Sequence, residues 1–246
     1  ERKKISQALY QLEKLLRQLE LCQQFLIDDG IHTFTEIIPQ IDDNTAYVFL
    51  RCIKTLLNHE QGRITIMDDV NMVRYLCSTT SNTGAPLRVR LLSTELLLLL
   101  TYINDHDGRD KVVVQLEPYY SQWFSSIEKA ISSPESMLTQ NTSVILPKPQ
   151  QQLTDYCLST LFLINSIIQV TTSYGEKEVL IKKFKECGIH RMFYKTKDFG
   201  SCLLDDEIRK YKEVEEEIIT RSSPELPTFL DISYGSILKT LILETR

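Results

Sequence analysis

The chain has 246 residues, 42% of them hydrophobic and 25% charged, and a formal net charge of −5. That length holds one large or two small domains with a sizeable core, and cations mixed among the acids give no basis for binding nucleic acid or an anionic membrane. Only 8 glycines and 8 prolines are present, too few for a many-stranded β protein or for phosphate-cradling loops.

Helical periodicity runs through the chain. Over 8–25, "ALYQLEKLLRQLELCQQF" sets Leu9, Leu12, Leu15, Leu16 and Leu19 at i, i+3 and i+4 spacings, which predicts one amphipathic helix. After Gly30 a short helix, "HTFTEII", stops before Pro39. Asn44 or Thr45 is expected to cap the next helix, "AYVFLRCIKTLLNHE", which is apolar on most sides and therefore needs several neighbours. "GRITIMDDVNMVRYLC" follows, then the loop "TSNTGAP" and the helix "LRVRLLSTELLLLLTYI", with Pro86 in its first turn. "NDHDGRD" reads as a loop and "KVVVQLEPYYSQWFSSIEKAISS" as helical. Residues 132–151 form the clearest break, a Ser, Pro, Gln and Asn-rich connection before the helix 153–170, "LTDYCLSTLFLINSIIQV". A charged helix ending in Gly188-Ile189-His190, an acidic helix with "EVEEE" as a solvated face, and a last apolar segment complete the chain.

Gly30-Ile31-His32 and Gly188-Ile189-His190 are the same tripeptide, and both follow an acidic residue. Asp28-Asp29-Gly30-Ile31 also has a counterpart 40 residues on, in Asp68-Asp69-Val70-Asn71. Each lies where one helix ends and another starts, with glycine expected in the left-handed conformation. A helical repeat near 40 residues predicts an all-α armadillo or HEAT-like superhelix. His32 and His190 are then positions in a repeat, and the spacing tight enough for metal ligands is absent.

Little else points to chemistry. No G-x-S-x-G, H-E-x-x-H, P-loop or dinucleotide fingerprint occurs, so no catalytic residue, metal ligand or cofactor is expected. "DHDGRD" starts like a calcium loop, but Gly108 falls at its fourth position instead of its sixth, and Glu117 at its thirteenth instead of its twelfth. His106 between two aspartates has no nucleophile beside it. The six cysteines lack any C-x-x-C pair and behave as small hydrophobes, which fits a reducing compartment. Asn141-Thr142-Ser143 is a formal glycosylation sequon with no signal peptide before it. The run "LLLLLTYI" is too short to cross a bilayer, so no membrane insertion is expected. The chain begins at Glu1, which suggests a piece of a longer protein.

"FLRCIKTLLNHEQGRITIMDDVNMVRYLC", with Cys52, Lys54, Leu57, Asn58 and Gly62 in frame, resembles the armadillo-like diaphanous inhibitory domain of formins, or third formin-homology region. "PLRVRLLSTELLLLLTYI" resembles the next repeat, and "LTDYCLSTLFLINSIIQVTTSYGEKEVLIKKFKECGIHRMF" resembles the family's Leu-Ile-Asn helix followed by a charged helix and a glycine turn. The resemblance implies a regulatory domain over 1–220, with 221–246 a C-terminal helix that starts a dimerisation region. It implies no catalysis and two partners: a Rho-family GTPase in its GTP form, and the parent's own C-terminal amphipathic helix. GTP and Mg²⁺ would belong to the GTPase, actin would be reached through other parts of the parent, and the location would be the cytoplasm, at the cytoskeleton or cell cortex.

The family's GTPase contact maps to Asn58, with His59 in place of a second asparagine and Glu60 where lysine is common. Its autoinhibitory groove maps to Asn165, Ser166, Ile168 and Gln169. Ser166 and Gln169 are three apart and are expected to share an exposed strip. The alternative is an armadillo or HEAT adaptor of another family that binds a helical or extended peptide.

Overall fold

The computed structural model describes residues 2–103, 106–132 and 148–222, and every regular element among them is helical. The sequon at Asn141, Asp105, most of the 132–151 connection and the expected helix after residue 222 lie outside the described residues. Two compact units are distinguished, Glu1–Tyr211 and Lys212–Arg246. The first unit ends before the boundary expected at 220, inside a continuous helix. In the second unit, Glu213, Glu216 and Glu217 are exposed, but Glu215 is buried, so the expected solvated face holds only in part, and Arg221 pairs with Glu217 at 2.9 Å.

In the first unit α1 (Arg2–Leu15) is followed by helices in threes. α2 (Leu19–Ile27), α3 (Gly30–Ile37) and α4 (Asp43–Leu57) form the first triplet; α5 (Glu60–Asp68), α6 (Val70–Ser81) and α7 (Leu87–Leu100) form the second. α8 (His106–Leu116), α9 (Tyr120–Ile131) and α10 (Lys148–Val170) form the third; α11 (Tyr174–Cys187), α12 (Ile189–Thr196) and α13 (Cys202–Ser222) the fourth. Like packs on like. First helices meet through α2–α5 and through Lys111–Asp68, second helices through α6–α9 and α9–α12, and third helices through α4–α7 and α7–α10, with α1 packed on α4. This is the stacked helical repeat that the periodicity predicts.

Local chemistry explains most boundaries. Asp42 caps α4: its Oδ1 accepts from the amides of Asn44 (3.2 Å) and Thr45 (3.0 Å), and Thr45 Oγ1 accepts from the Asp42 amide. The cap is therefore Asp42, with Thr45 as the reciprocal half of a capping box. Asp69 caps α6 by accepting from the Met72 amide at 2.8 Å and also accepts from Thr35 of α3 at 3.1 Å, which joins two repeats at one carboxylate.

The Gly-Ile-His copies do mark first-to-second helix junctions, but differently. Gly188 is left-handed (φ 104°), whereas in the first copy Asp29 takes that conformation (φ 57°) and Gly30 is already helical against the Phe25 ring. His32 faces solvent and pairs with Glu36 at 3.5 Å, and the ring of His190 meets Phe193 edge-on. They stand in the first and fourth triplets.

A second glycine register emerges only in three dimensions. Gly62 and Gly108 are each the third residue of a first helix, and each packs on the carbonyl end of the preceding third helix. A Cβ would lie 2.2 Å from Leu56 O at Gly62 and 2.1 Å from Leu100 O at Gly108. That approach explains why α8 begins inside the expected "NDHDGRD" loop: the segment coils tightly against the end of α7, with the Gly108 amide donating to Ile103 O at 3.1 Å. Pro118 then splits the expected single helix into α8 and α9 through a 3-10 turn at Glu117–Tyr119. α10 starts at Lys148, earlier than expected, and its apolar length is core: Tyr156, Cys157, Leu161 and Ile164 are fully buried. The helix expected over 8–25 is broken at residues 16–18, because Leu16 turns into the core between α1 and α2.

The middle of the stack is held by polar groups as well as leucines. Arg90 of α7 is buried, donates to Ser126 O of α9 at 3.2 Å and lies over the Tyr156 ring of α10. Tyr156 donates its hydroxyl to Thr80 O of α6 at 2.8 Å. Four buried cysteines pack as hydrophobes, and burial pushes the thiols of Cys52 and Cys157 up to about 12. Replacing Gly108 with alanine forces α8 off the end of α7 and is expected to cost about 1–3 kcal/mol, read as a lower midpoint in urea. An unchanged midpoint would mean the close approach contributes nothing.

Candidate functional site

Stacking covers α4, α7 and α10 on all but one side, and the uncovered sides of α4 and α7 are adjacent. On α4 the partly open positions are Tyr47, Arg51, Lys54 and Asn58; on α7 they are Arg88, Leu91, Glu95 and Leu99, continuing to Tyr102. The two rows interlock. Arg88 sits over the Tyr47 ring at 5.1 Å, and Lys54 pairs with Glu95 at 3.4 Å. On α10 the corresponding row is Leu158, Phe162, Asn165 and Gln169.

Asn58 ends α4, exposed, in right-handed helical conformation (φ −68°, ψ −18°). Its side-chain amide has no hydrogen-bond partner among the described residues. Sequence alone leaves open whether Asn58 is a C-terminal capping asparagine; it does occupy the C-cap of α4, in right-handed conformation, with its backbone amide donating to Thr55 O and Leu56 O. His59 is half-buried at the N-cap of α5 without a capping bond from its side chain. Glu60 is exposed in the first turn of α5, where the helix dipole favours an acid.

Two cavities meet at Asn58. One, of about 470 Å³, is lined by Glu13, Arg17, Arg51, Lys54, Thr55 and His59 as well as Asn58. The other, of about 580 Å³, runs from Asn58 over Leu57, Ile64, Leu99, Tyr102 and Ile103, with Glu60 and Arg63 on its lining. The first is organised by a buried carboxylate. Glu13 Oε1 accepts from Arg17 Nη2 at 2.6 Å and Arg51 Nη2 at 3.0 Å. Burial pushes this carboxyl up, but the hydrogen bond and charge of Arg17, together with those of Arg51, outweigh it and leave its pKa below the usual 4.5. Arg63 Nη1 donates to Leu57 O at 3.1 Å and ties α5 to the end of α4.

The second predicted site is less coherent. Ser166 is buried, and its hydroxyl shares a 2.8 Å hydrogen bond with Thr101 of the α7 terminus. Ile168 is buried too. Asn165 is half-buried and donates to Glu207 O (3.0 Å) and Glu207 Oε2 (2.7 Å), whereas Gln169 is exposed. The expectation of one exposed strip through Ser166 and Gln169 is thereby corrected. Three residues turn a helix by about 300°, and the edge of the α7 contact falls between the two. The open row instead runs through Phe162, which is 38% exposed and which sequence reasoning passed over within an apolar run.

No described group of three or more His, Cys, Asp or Glu side chains is placed to hold a metal. Residues 116–222 match the model of the diaphanous FH3 domain family. Over 223 residues the chain is 32% identical to BNI1-related protein 1 of Saccharomyces cerevisiae, covering 87% of this chain and 16% of that protein. Over 205 residues it is 22% identical to cytokinesis protein sepA of Emericella nidulans, covering 74% of this chain and 11% of that protein. These matches mark a formin N-terminal regulatory region. The chain spans less than a fifth of either relative. In this formin region the matched residues include α10 with Asn165–Gln169, while the Asn58 turn lies N-terminal to them.

Two outcomes follow from the burial pattern. Ser166→Asp places an uncompensated charge against Thr101 and is expected to cost about 3–5 kcal/mol in chemical denaturation; a stable variant would return Ser166 to the surface. Glu13 has a folded-state pKa below its unfolded value, so its contribution is present above the unfolded value and is lost as pH falls through the folded one. The stability gap between the parent and Glu13→Gln should therefore narrow as pH drops below about 4, measured by thermal melts across pH. A gap that widened with acid would contradict the ion-pair assignment.

Proposed function

We propose that this region is the non-catalytic regulatory domain of a formin-type actin assembly protein. It binds a Rho-family GTPase in its GTP form through the turn Asn58–His59–Glu60. A second partner, the amphipathic helix at the parent's own C-terminus, lies across the α10 part of the same face. GTP and Mg²⁺ belong to the bound GTPase, and actin is handled by other parts of the parent. The setting is the cytoplasmic side of the cell cortex and its cytoskeleton.

The observation that carries the reading is the exposed, unpartnered amide of Asn58 where two cavities meet. An amide both donates and accepts, so it can pair with a backbone segment of a partner. For the second partner, Phe162 supplies an apolar anchor with Leu158, Asn165 and Gln169 on one helical row, the pattern a docked helix needs. Ser166 and Ile168 act behind that row, by setting how α10 sits on α7.

The domain is expected to retain a GTP-loaded Rho-family GTPase and release the GDP-loaded form. Asn58→Ala should weaken that binding by about 1–2 kcal/mol without altering the melting temperature. Equal binding of both nucleotide forms would sink the reading. A peptide of the parent's C-terminal helix should compete, and Phe162→Asp should abolish the competition while leaving GTPase affinity intact.

A further inference from the structure

We propose that the two cavities beside Asn58 work as one two-part receptor, the basic one for a partner carboxylate and the apolar one for a large apolar side chain on the same partner segment. The proposal rests on reading the Asn58 turn as the GTPase contact, and adds the chemistry of the epitope recognised there.

The basic cavity sets three permanent cations, Arg17, Arg51 and Lys54, around a single carboxylate. Glu13, whose side chain is only 4% exposed and whose Oε1 takes the bonds of both arginines, offsets one of these charges, and Glu95 beside Lys54 offsets a second, which leaves one net positive charge. Each guanidinium has five N–H donors in a planar fork, so most remain free to meet another acceptor. The Arg17 and Arg51 side chains keep 59% and 35% exposure, so those donors are accessible. Lys54 is 52% exposed and is held by Glu95 only at 3.4 Å. On a chain of net charge −5 this is a local reversal of sign, built around a buried counter-charge that holds the arginines in place. Such preorganised cations select an acidic group and hasten its arrival.

The second cavity is mixed, with Asn58, Glu60 and Arg63 on its lining beside an apolar patch. Leu99 and Tyr102 lie about one helical turn apart and are 48% and 61% exposed, over a floor made by the buried Leu57 and Ile103. Water contact with this surface is unfavourable, and a large side chain from a partner relieves it. Both cavities share Asn58. A segment that places a carboxylate on one side and an apolar anchor on the other therefore carries its backbone past the free amide. The acidic group gives register and salt sensitivity, and the apolar anchor gives most of the affinity.

The test titrates the domain with a GTP-loaded Rho-family GTPase at low and high salt. Tyr102→Ala is expected to weaken binding about tenfold at both ionic strengths. Lys54→Gln and Arg51→Gln should each weaken it several-fold at low salt and flatten the salt dependence. Val179→Ser, at an exposed valine of α11, should leave it unchanged. Lys54 and Tyr102 are more than half exposed, so these variants keep the fold, and Lys54→Gln decides the electrostatic half if Arg51→Gln melts early. If the parent binds and either cavity's variants bind as well as it does, the two-part receptor is overturned while the Asn58 contact stands. If the parent itself fails to bind, both fall together.

Discussion

Everything in this molecule depends on the burial of α7. Its sequence is apolar nearly all round, and such a helix is stable in water only when other helices cover it. α4, α6 and α10 do so, and the Arg90, Ser126, Tyr156 and Thr80 contacts knit α6, α7, α9 and α10 at the same level. A buried guanidinium that meets carbonyl oxygen and an aromatic face, with no carboxylate hydrogen-bonded to it, is costly to misplace. It fixes the register of the central repeats more sharply than leucine packing alone would.

The candidate site is a by-product of that stacking. Covering α4 and α7 on three sides leaves one narrow row on each, and the rows come to lie side by side. Asn58 is far in sequence from Leu99 and Tyr102 yet borders one cavity with them, because the end of α4 packs beside the end of α7. Gly62 and Gly108 make this possible: with no Cβ, the first helix of each following repeat starts directly on those helix ends. Electrostatics then separates the two cavities. Glu13, on α1, reaches α4 and holds Arg51, so the basic cavity lies where α1 meets the third helix of the first triplet.

Several features were legible in the chain. The paired Asp-Asp and Gly-Ile-His segments reveal the repeat, because junctions between short helices need caps and left-handed residues that only a few side chains tolerate. The end of α4 at Asn58 was legible through the helix frame around Cys52 and Lys54. The break after Leu15 was not, since the leucine period passes straight through it. Nor was the start of α8, where turn-like composition in "DHDGRD" hides a helix that forms against α7. Ser166 misled for a related reason: a small polar residue in an apolar helix reads as surface, but a hydroxyl that finds Thr101 is satisfied inside.

The sequence by itself determined the helical class, the repeat and the residues able to end helices, because these rest on periodicity and on local backbone chemistry; the family resemblance rests on the order of matched motifs. Only the tertiary structure decided which apolar residues are core and which are surface. In a stack, every long helix carries more apolar residues than one interface needs, and the angle at which its neighbours pack selects the remainder. That angle leaves Tyr102 and Phe162 open and closes over Ser166 and Ile168, and no pattern within a single helix encodes it.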